Sequence, residues 1–251
     1  MKKIKVTIWN EGTHERRDEA VQKVYPDTIG GALKSFIETM ESVIEVRHVS
    51  LYDEEQGFTQ ELLDDTDVLV YWAHVSHAEV KDEYVNRIYE RVLNGMGIVL
   101  LHSAHASKIF NKLCGTHTSY LRWREAAEKE RVWNINPTHP IAKGLPDQFL
   151  IPHTEMYGEH FNIPKPDDII FISWYEGGNV FRSGITYTRG AGKIFYFSPG
   201  HETFPIYYQK EVQQVIKNGI EWVAPAFEET AMLKNGAPCD NVPLEEIKSV
   251  R

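Results

Sequence analysis

Gly97-Ile98-Val99-Leu100-Leu101 runs without a polar side chain into His102-Ser103-Ala104-His105. A short, β-branched apolar run that opens on glycine suits a strand buried on both faces, which is the environment of a parallel sheet covered by helices. Upstream, Val80, Tyr84, Val85, Ile88, Tyr89, Val92 and Leu93 recur at helical spacing, and Asn94-Gly95 closes that helix. Further upstream, Val68 to Ala73 is a second nearly continuous apolar run. Strand, helix, strand in this order predicts a right-handed crossover and parallel pairing.

Working outward, Ile4 to Trp9 predicts the first strand. Residues 29 to 44 predict its helix, with Leu33, Phe36, Ile37, Met40, Val43 and Ile44 on one stripe. Between them Asn10 to Asp27 reads as a long polar loop, and long loops at strand ends tend to carry function. Ile44 to Val49 reads as a strand and Thr59 to Leu63 as a short helix. Beyond residue 115 the pattern becomes strand-rich, with candidates at Arg131 to Ile135, Ile169 to Ser173, Gly184 to Thr188 and Lys193 to Ser198. Pro205 opens a last helix reaching Val223. The expectation is an α/β fold with a mostly parallel central sheet flanked by helices on both faces, in the flavodoxin-like manner, and extra antiparallel strands in the C-terminal half. Residues 1–225 form one domain in this reading, and 226–251, rich in proline and without a period, form a C-terminal tail.

The chain has 251 residues, and its formal charge of −9 leaves no general basic face for nucleic acid or an anionic membrane. Only Cys114 and Cys239 are present, too far apart in sequence to suggest a disulfide framework or a zinc ribbon. The N-terminal run Ile4-Lys5-Val6-Thr7-Ile8-Trp9 lacks the apolar core of a signal peptide, so a cytoplasmic protein is expected. The glycine pairs never form the phosphate-cradling pattern between a strand and a helix, so no nucleotide cofactor is expected.

Chemistry concentrates where apolar runs end. His102 and His105 follow the run at 97–101, His74 and His77 follow the run at 68–73, and Ser198-Pro199-Gly200-His201-Glu202 follows Lys193 to Phe197. In open α/β sheets ligands bind outside the carboxyl ends of the strands, so these residues should converge on one crevice. The segment His153-Thr154-Glu155-Met156-Tyr157-Gly158-Glu159-His160, placed between strands, adds further donors. His74, His102, Glu155 and His201 could together supply three or four ligands to a divalent metal, with zinc favoured. Glu155, Tyr157, His201 and Glu202 are the candidate catalytic groups, and His77, His105, Asn10 and Trp72 the candidate substrate contacts. His14, His48, His117, His139 and His160 read as packing or surface groups. Arg122-Trp123-Arg124-Glu125 fits either a hydroxyl-binding segment or an ion-paired surface.

A strand ending in His followed by Glu also occurs in class I glutamine amidotransferases, whose nucleophilic cysteine stands on an earlier strand-to-helix elbow. Here the elbow reads Leu101-His102-Ser103-Ala104 and offers no thiol. Ser103 with His201 and Glu202 would make a hydroxyl triad, but the glycines that relieve such an elbow are missing. The chain is therefore not expected to be an amidotransferase.

Taken together, Asp67 through His77, Gly97 through His105, Glu155-Met156-Tyr157-Gly158 and Phe197 through Thr203 resemble the ThuA-like trehalose-utilisation proteins over roughly residues 4 to 225. The resemblance implies a class I glutamine amidotransferase-like fold without the cysteine, and a carbohydrate substrate such as trehalose, a related disaccharide or an oxidised keto derivative. The leading expectation is an enzyme performing acid/base chemistry on a sugar derivative in a His/Glu pocket. The alternative is a non-catalytic sugar-binding or regulatory protein on the same fold. A homo-oligomer is also expected, with Trp123, Trp133 and the tail as candidate interface.

Overall fold

A computed structural model of the chain describes residues 3–117, 121–225 and 245–246. Strands β1 (Ile4–Asn10), β2 (Val43–Ser50), β3 (Val68–Trp72) and β4 (Gly97–Leu101) pair in parallel. Strands β5 (Arg122–Asn134), β6 (Gln148–Gly158), β7 (Asp168–Tyr175) and β8 (Val180–Arg189) pair antiparallel, and β9 (Gly192–Phe197) joins the two halves. The result is one nine-stranded sheet in the order β2-β1-β3-β4-β9-β8-β7-β5-β6. Its parallel half has the 2-1-3-4-5 order of flavodoxin-like sheets, whose switch point lies between β1 and β3.

The alternation of side chains across β3 divides the core. Val68, Val70 and Trp72 pack on one face with α3 (Thr28–Ile37) and α7 (Lys210–Val223). Leu69 and Tyr71 pack on the other with α5 (Asp82–Leu93) and α6 (Lys108–Cys114). Every residue of β3 and β4 is buried, as their unbroken apolar runs require.

Four local expectations are corrected. The helix expected over 29–44 ends at Ile37, where the Thr39 hydroxyl donates to the Phe36 carbonyl at 2.7 Å. Such a bond competes with helix propagation, and Val43 and Ile44 pass into edge strand β2 instead. The supposed loop 10–27 contains α1 (Thr13–Arg17) and α2 (Glu19–Val24), the latter capped by Asp18, which accepts from Ala20 N at 2.7 Å. His153 to Gly158 lies on β6, not between strands, and this strand tolerates Pro152 because it is the sheet edge and needs no outward N–H bond there. The last helix begins at Lys210, after a 3-10 turn at Ile206–Tyr208. Apart from residues 245–246, the expected tail 226–251 lies outside the described residues.

Candidate functional site

The carboxyl ends of β1, β3, β4 and β9 face one crevice, and β6 returns to it because the antiparallel half curls, so that Glu159 N–H donates to the Val180 carbonyl at 2.9 Å. The ring centroids of His74, His102 and His201 lie 5.1 to 5.5 Å from one another. Donor atoms of His74, Glu155 and His201 all fall within 4.8 Å of each other, and so do those of His14, His74 and Glu202. Three of the four ligands expected from sequence thus share one cluster. The fourth, His102, stands beside it with Nε2 3.6 Å from Glu155 Oε2.

His102 occupies the elbow at the end of β4. Its φ of 56° is left-handed, a conformation costing a non-glycine residue roughly 1 kcal/mol, and one 3-10 turn, His102–Ala106, follows it. The ring is sandwiched between Trp72 and Tyr157, with centroids at 6.0 and 5.5 Å and planes within 18°. Trp72 is wholly buried and donates from Nε1 to the Gly200 carbonyl at 3.1 Å, so it fixes the floor of the site. Gly200 itself has φ +148°, and the Tyr207 hydroxyl occupies the space that a Cβ would need. The Pro199-Gly200 turn can therefore deliver His201 and Glu202 only with glycine at this place.

Electrostatics separates the roles. Burial opposes a charge on His74, but the Glu202 carboxylate, whose Oε2 is 2.9 Å from His74 Nδ1, outweighs it and raises the His74 pKa. Burial would likewise raise Glu202, yet His74 holds it below the usual carboxylate range. The two therefore form an ion pair. His102 is kept neutral by burial and by its imidazole neighbours, and His201 is lowered by burial against the pull of Glu202. Glu155 is raised to about 7 by burial, against the stabilising influence of His74 and Tyr157, and its Oε2 has no hydrogen-bond partner among the described residues. Burial also pushes the Tyr157 hydroxyl far above its ordinary range, so it stays protonated, bonded to Ser103 Oγ. This bond ties the Ser103 hydroxyl to a phenol, so the two residues act as one unit beside His102.

The expected substrate contacts lie mostly behind the crevice wall. His105 is buried with Nδ1 3.2 Å from the His102 carbonyl and 3.1 Å from the Tyr196 hydroxyl, and burial lowers its pKa to about 3. His77 is held neutral, at about 4, by burial and by His74. Asn10 is buried and donates to Glu15 Oε1 at 2.6 Å, bracing the loop after β1. Two site residues escaped the sequence reading. His14, expected to be a packing or surface group, places Nε2 3.1 Å from His74 Nδ1. Glu11 is fully buried and accepts from the backbone N–H groups of His74, Val75 and Ser76 at 2.8 to 3.2 Å. A carboxyl immediately after a β1 run was the available signal for Glu11.

A protein-family model described as "ThuA: Trehalose utilisation" matches residues 5–223. No curated protein gives a significant sequence match. Among solved structures, a ThuA-like protein from Parabacteroides merdae superposes with TM-score 0.63 at 18% identity, covering 90% of this chain and 93% of that one. A ThuA-like protein from Bacteroides uniformis gives TM-score 0.63 at 15% identity over 88% and 91%. A cytoplasmic protein from Salmonella typhimurium gives 0.55 at 13% over 88% and 100%. At these identities the likeness is one of fold. Among the described residues, no helix is long and apolar enough to cross a membrane.

Proposed function

The chain belongs to the ThuA, trehalose utilisation, family, and on that premise we propose that it is a cytoplasmic enzyme of carbohydrate metabolism acting on trehalose, a related disaccharide or a keto derivative. The observation that carries the enzymatic reading is the divergence of the two carboxyls. Glu202 is held ionised against His74, while Glu155, buried and raised to about 7, exchanges its proton near neutrality. Groups whose environments push their pKa values apart are how one site supplies both an acid/base and a fixed charge. A binder of neutral sugars uses ionised carboxylates as hydroxyl acceptors but needs neither a carboxyl that exchanges its proton near neutrality nor several converging imidazoles.

Glu155 is the proton carrier in this reading, and the Tyr157 hydroxyl donates to a substrate oxygen. Glu202 holds the charged His74 in place. Thr203 N–H donates to His201 Nδ1 at 3.3 Å and the Thr203 hydroxyl lies 2.8 Å from the same atom, so Nδ1 is the acceptor and the neutral ring carries its proton on Nε2. The donor set also fits a divalent cation, zinc by preference: imidazoles and a buried carboxylate oxygen lacking a hydrogen-bond partner converge within ligating distance. His74 and Glu155 would hold it only after giving up their protons, with His201 and with His102 alongside, and when bound it would polarise a sugar oxygen or acidify a water.

Metal content of untagged protein, measured by plasma mass spectrometry beside His74→Ala and His201→Ala, tests the cation. Disaccharides and their keto derivatives are then screened for turnover with wild type and Glu155→Gln. Turnover lost in Glu155→Gln supports the reading, and unchanged turnover in that variant refutes it. A second copy of the chain is the partner we assign to the sheet row Leu150, Arg131, Trp174 and Val180, direct cross-strand neighbours of which all but the half-buried Arg131 are exposed, with Trp133 adjoining. Leu150, Trp174, Val180, Trp133 and Ile135 are all exposed large apolar side chains, and apolar residues gathered on one face mark an interaction surface.

A further inference from the structure

Trp123 is the least buried large apolar side chain among the described residues, 66% exposed, and it stands apart from the row just described. Its sequence neighbours Arg122, Arg124, Glu125 and Ala126 are all exposed. A lone indole amid charges does not make a contiguous protein-docking patch. Two observations place it at the mouth of the site. In the β5–β6 ladder Trp123 is directly opposite Tyr157, and directly opposed residues share a face with Cβ atoms about 5 Å apart. Tyr157 is the residue that stacks on His102. Two residues along, where the ladder leaves its register, Glu125 places Oε1 3.9 Å from His201 Nε2. Arg124, on the opposite face, is occupied by Glu128 at 2.5 Å and Asn179 at 3.1 Å. The ladder register then shifts between Arg124 and Glu128, with Ala127 at φ 51°. Bulges of this kind re-aim side chains and are frequent beside active sites.

We propose that Trp123 is a substrate-positioning platform: its indole face takes the apolar C–H face of the second sugar ring of a disaccharide whose first ring sits at the His/Glu cluster, and Glu125 accepts hydroxyls between the two. The inference rests on the carbohydrate reading above and narrows it, because a platform one cross-strand step outside the cluster serves a two-ring ligand and not a monosaccharide. The ring pairs its flat apolar surface with a ligand that is apolar on its faces and polar on its edges, which suits an indole bordered by Glu125 and Arg122.

The test is calorimetric titration of wild type, Trp123→Ala and Trp123→Phe with trehalose, its keto derivatives and other glucose disaccharides, and with glucose. Thermal unfolding is recorded in parallel. Trp123→Ala should weaken disaccharide binding roughly tenfold, leave glucose binding and the unfolding midpoint unchanged, and Trp123→Phe should retain affinity within about threefold. In wild type the bound disaccharide should also shift indole fluorescence beyond any shift that glucose gives through Trp72, and Trp123→Phe should lose that excess while still binding. Disaccharide affinity equal in Trp123→Ala and wild type overturns the platform alone, as does a wild type that binds glucose as tightly as any disaccharide. A wild type that binds none of these sugars refutes the carbohydrate reading itself, and the platform falls with it.

Discussion

Replacing Glu130 by glutamine should stabilise the protein at pH 8 and leave it nearly unchanged below pH 5. Glu130, on β5, is fully buried. Its Oε1 accepts from Ser173 Oγ at 2.5 Å and from the Tyr175 hydroxyl at 3.2 Å, while Oε2 has no hydrogen-bond partner among the described residues. Burial raises the carboxyl to about 7, and the nearby hydroxyls, those of Ser173 and Tyr175 foremost, only partly offset it. The folded value lies above the ordinary 4.5, so the folded chain binds this proton more tightly than the unfolded chain does. Stability is then unaffected below the unfolded value, falls as pH rises from about 4.5 to about 7, and stays reduced above. A separation of about 2.5 pH units at about 1.4 kcal/mol each gives a penalty of about 3.5 kcal/mol at pH 8. Glutamine imitates the protonated acid and escapes that penalty, which for a chain of this size corresponds to a rise in Tm of roughly 7 to 14 °C. Urea and thermal melts of both proteins between pH 4.5 and 8.5 measure it. Glu155 titrates over the same range, so the difference between the two curves, not the wild-type curve, isolates Glu130. Curves that run parallel across this range would refute the assignment of a buried, neutral-range carboxyl.

The remaining expectations concern the site and the surface. His74→Ala and His201→Ala should each abolish stoichiometric metal uptake by plasma mass spectrometry, while His139→Ala, remote from the cluster, should not. Glu11→Gln puts an amide donor against three backbone N–H groups. It should cost about 2 kcal/mol in denaturant titration and weaken metal binding through a loosened His74 loop. Gly200→Ala, forced against the Tyr207 hydroxyl at an unfavourable φ, should lower stability by roughly 2 to 3 kcal/mol, and a melt indistinguishable from wild type would contradict the packing described. Trp174→Glu should convert an oligomer to monomer in sedimentation velocity without changing the unfolding midpoint, and an unchanged sedimentation coefficient would remove this face from the interface.

Periodicity alone made the parallel half of the fold legible. Runs such as Val68 to Trp72 and Gly97 to Leu101 are apolar on both faces because helices cover both, and only a parallel sheet asks for that. The residues at their ends, His74, His102, His201 and Glu202, were legible for the same reason: strand direction sends them to one edge of the sheet. Four motifs in order also sufficed to identify the family. The antiparallel half was less readable. The stretch 153–160 reads as lying between strands, whereas 153–158 belong to β6, whose edge position lets it carry Pro152, and Glu155 and Tyr157 reach the site only because that edge curls back on β8. His14 and Glu11 stand in the 10–27 segment expected to carry function, but their roles were not legible there; the first gains its role by approaching His74, and the second by gathering N–H groups some 63 to 65 residues away. The sequence by itself determined which side chains a parallel α/β sheet would present at its carboxyl edge. The tertiary structure decided which of them are ionised, because the pKa of Glu155 and the pairing of His74 with Glu202 depend on burial and on distances of a few ångströms that no spacing along the chain encodes.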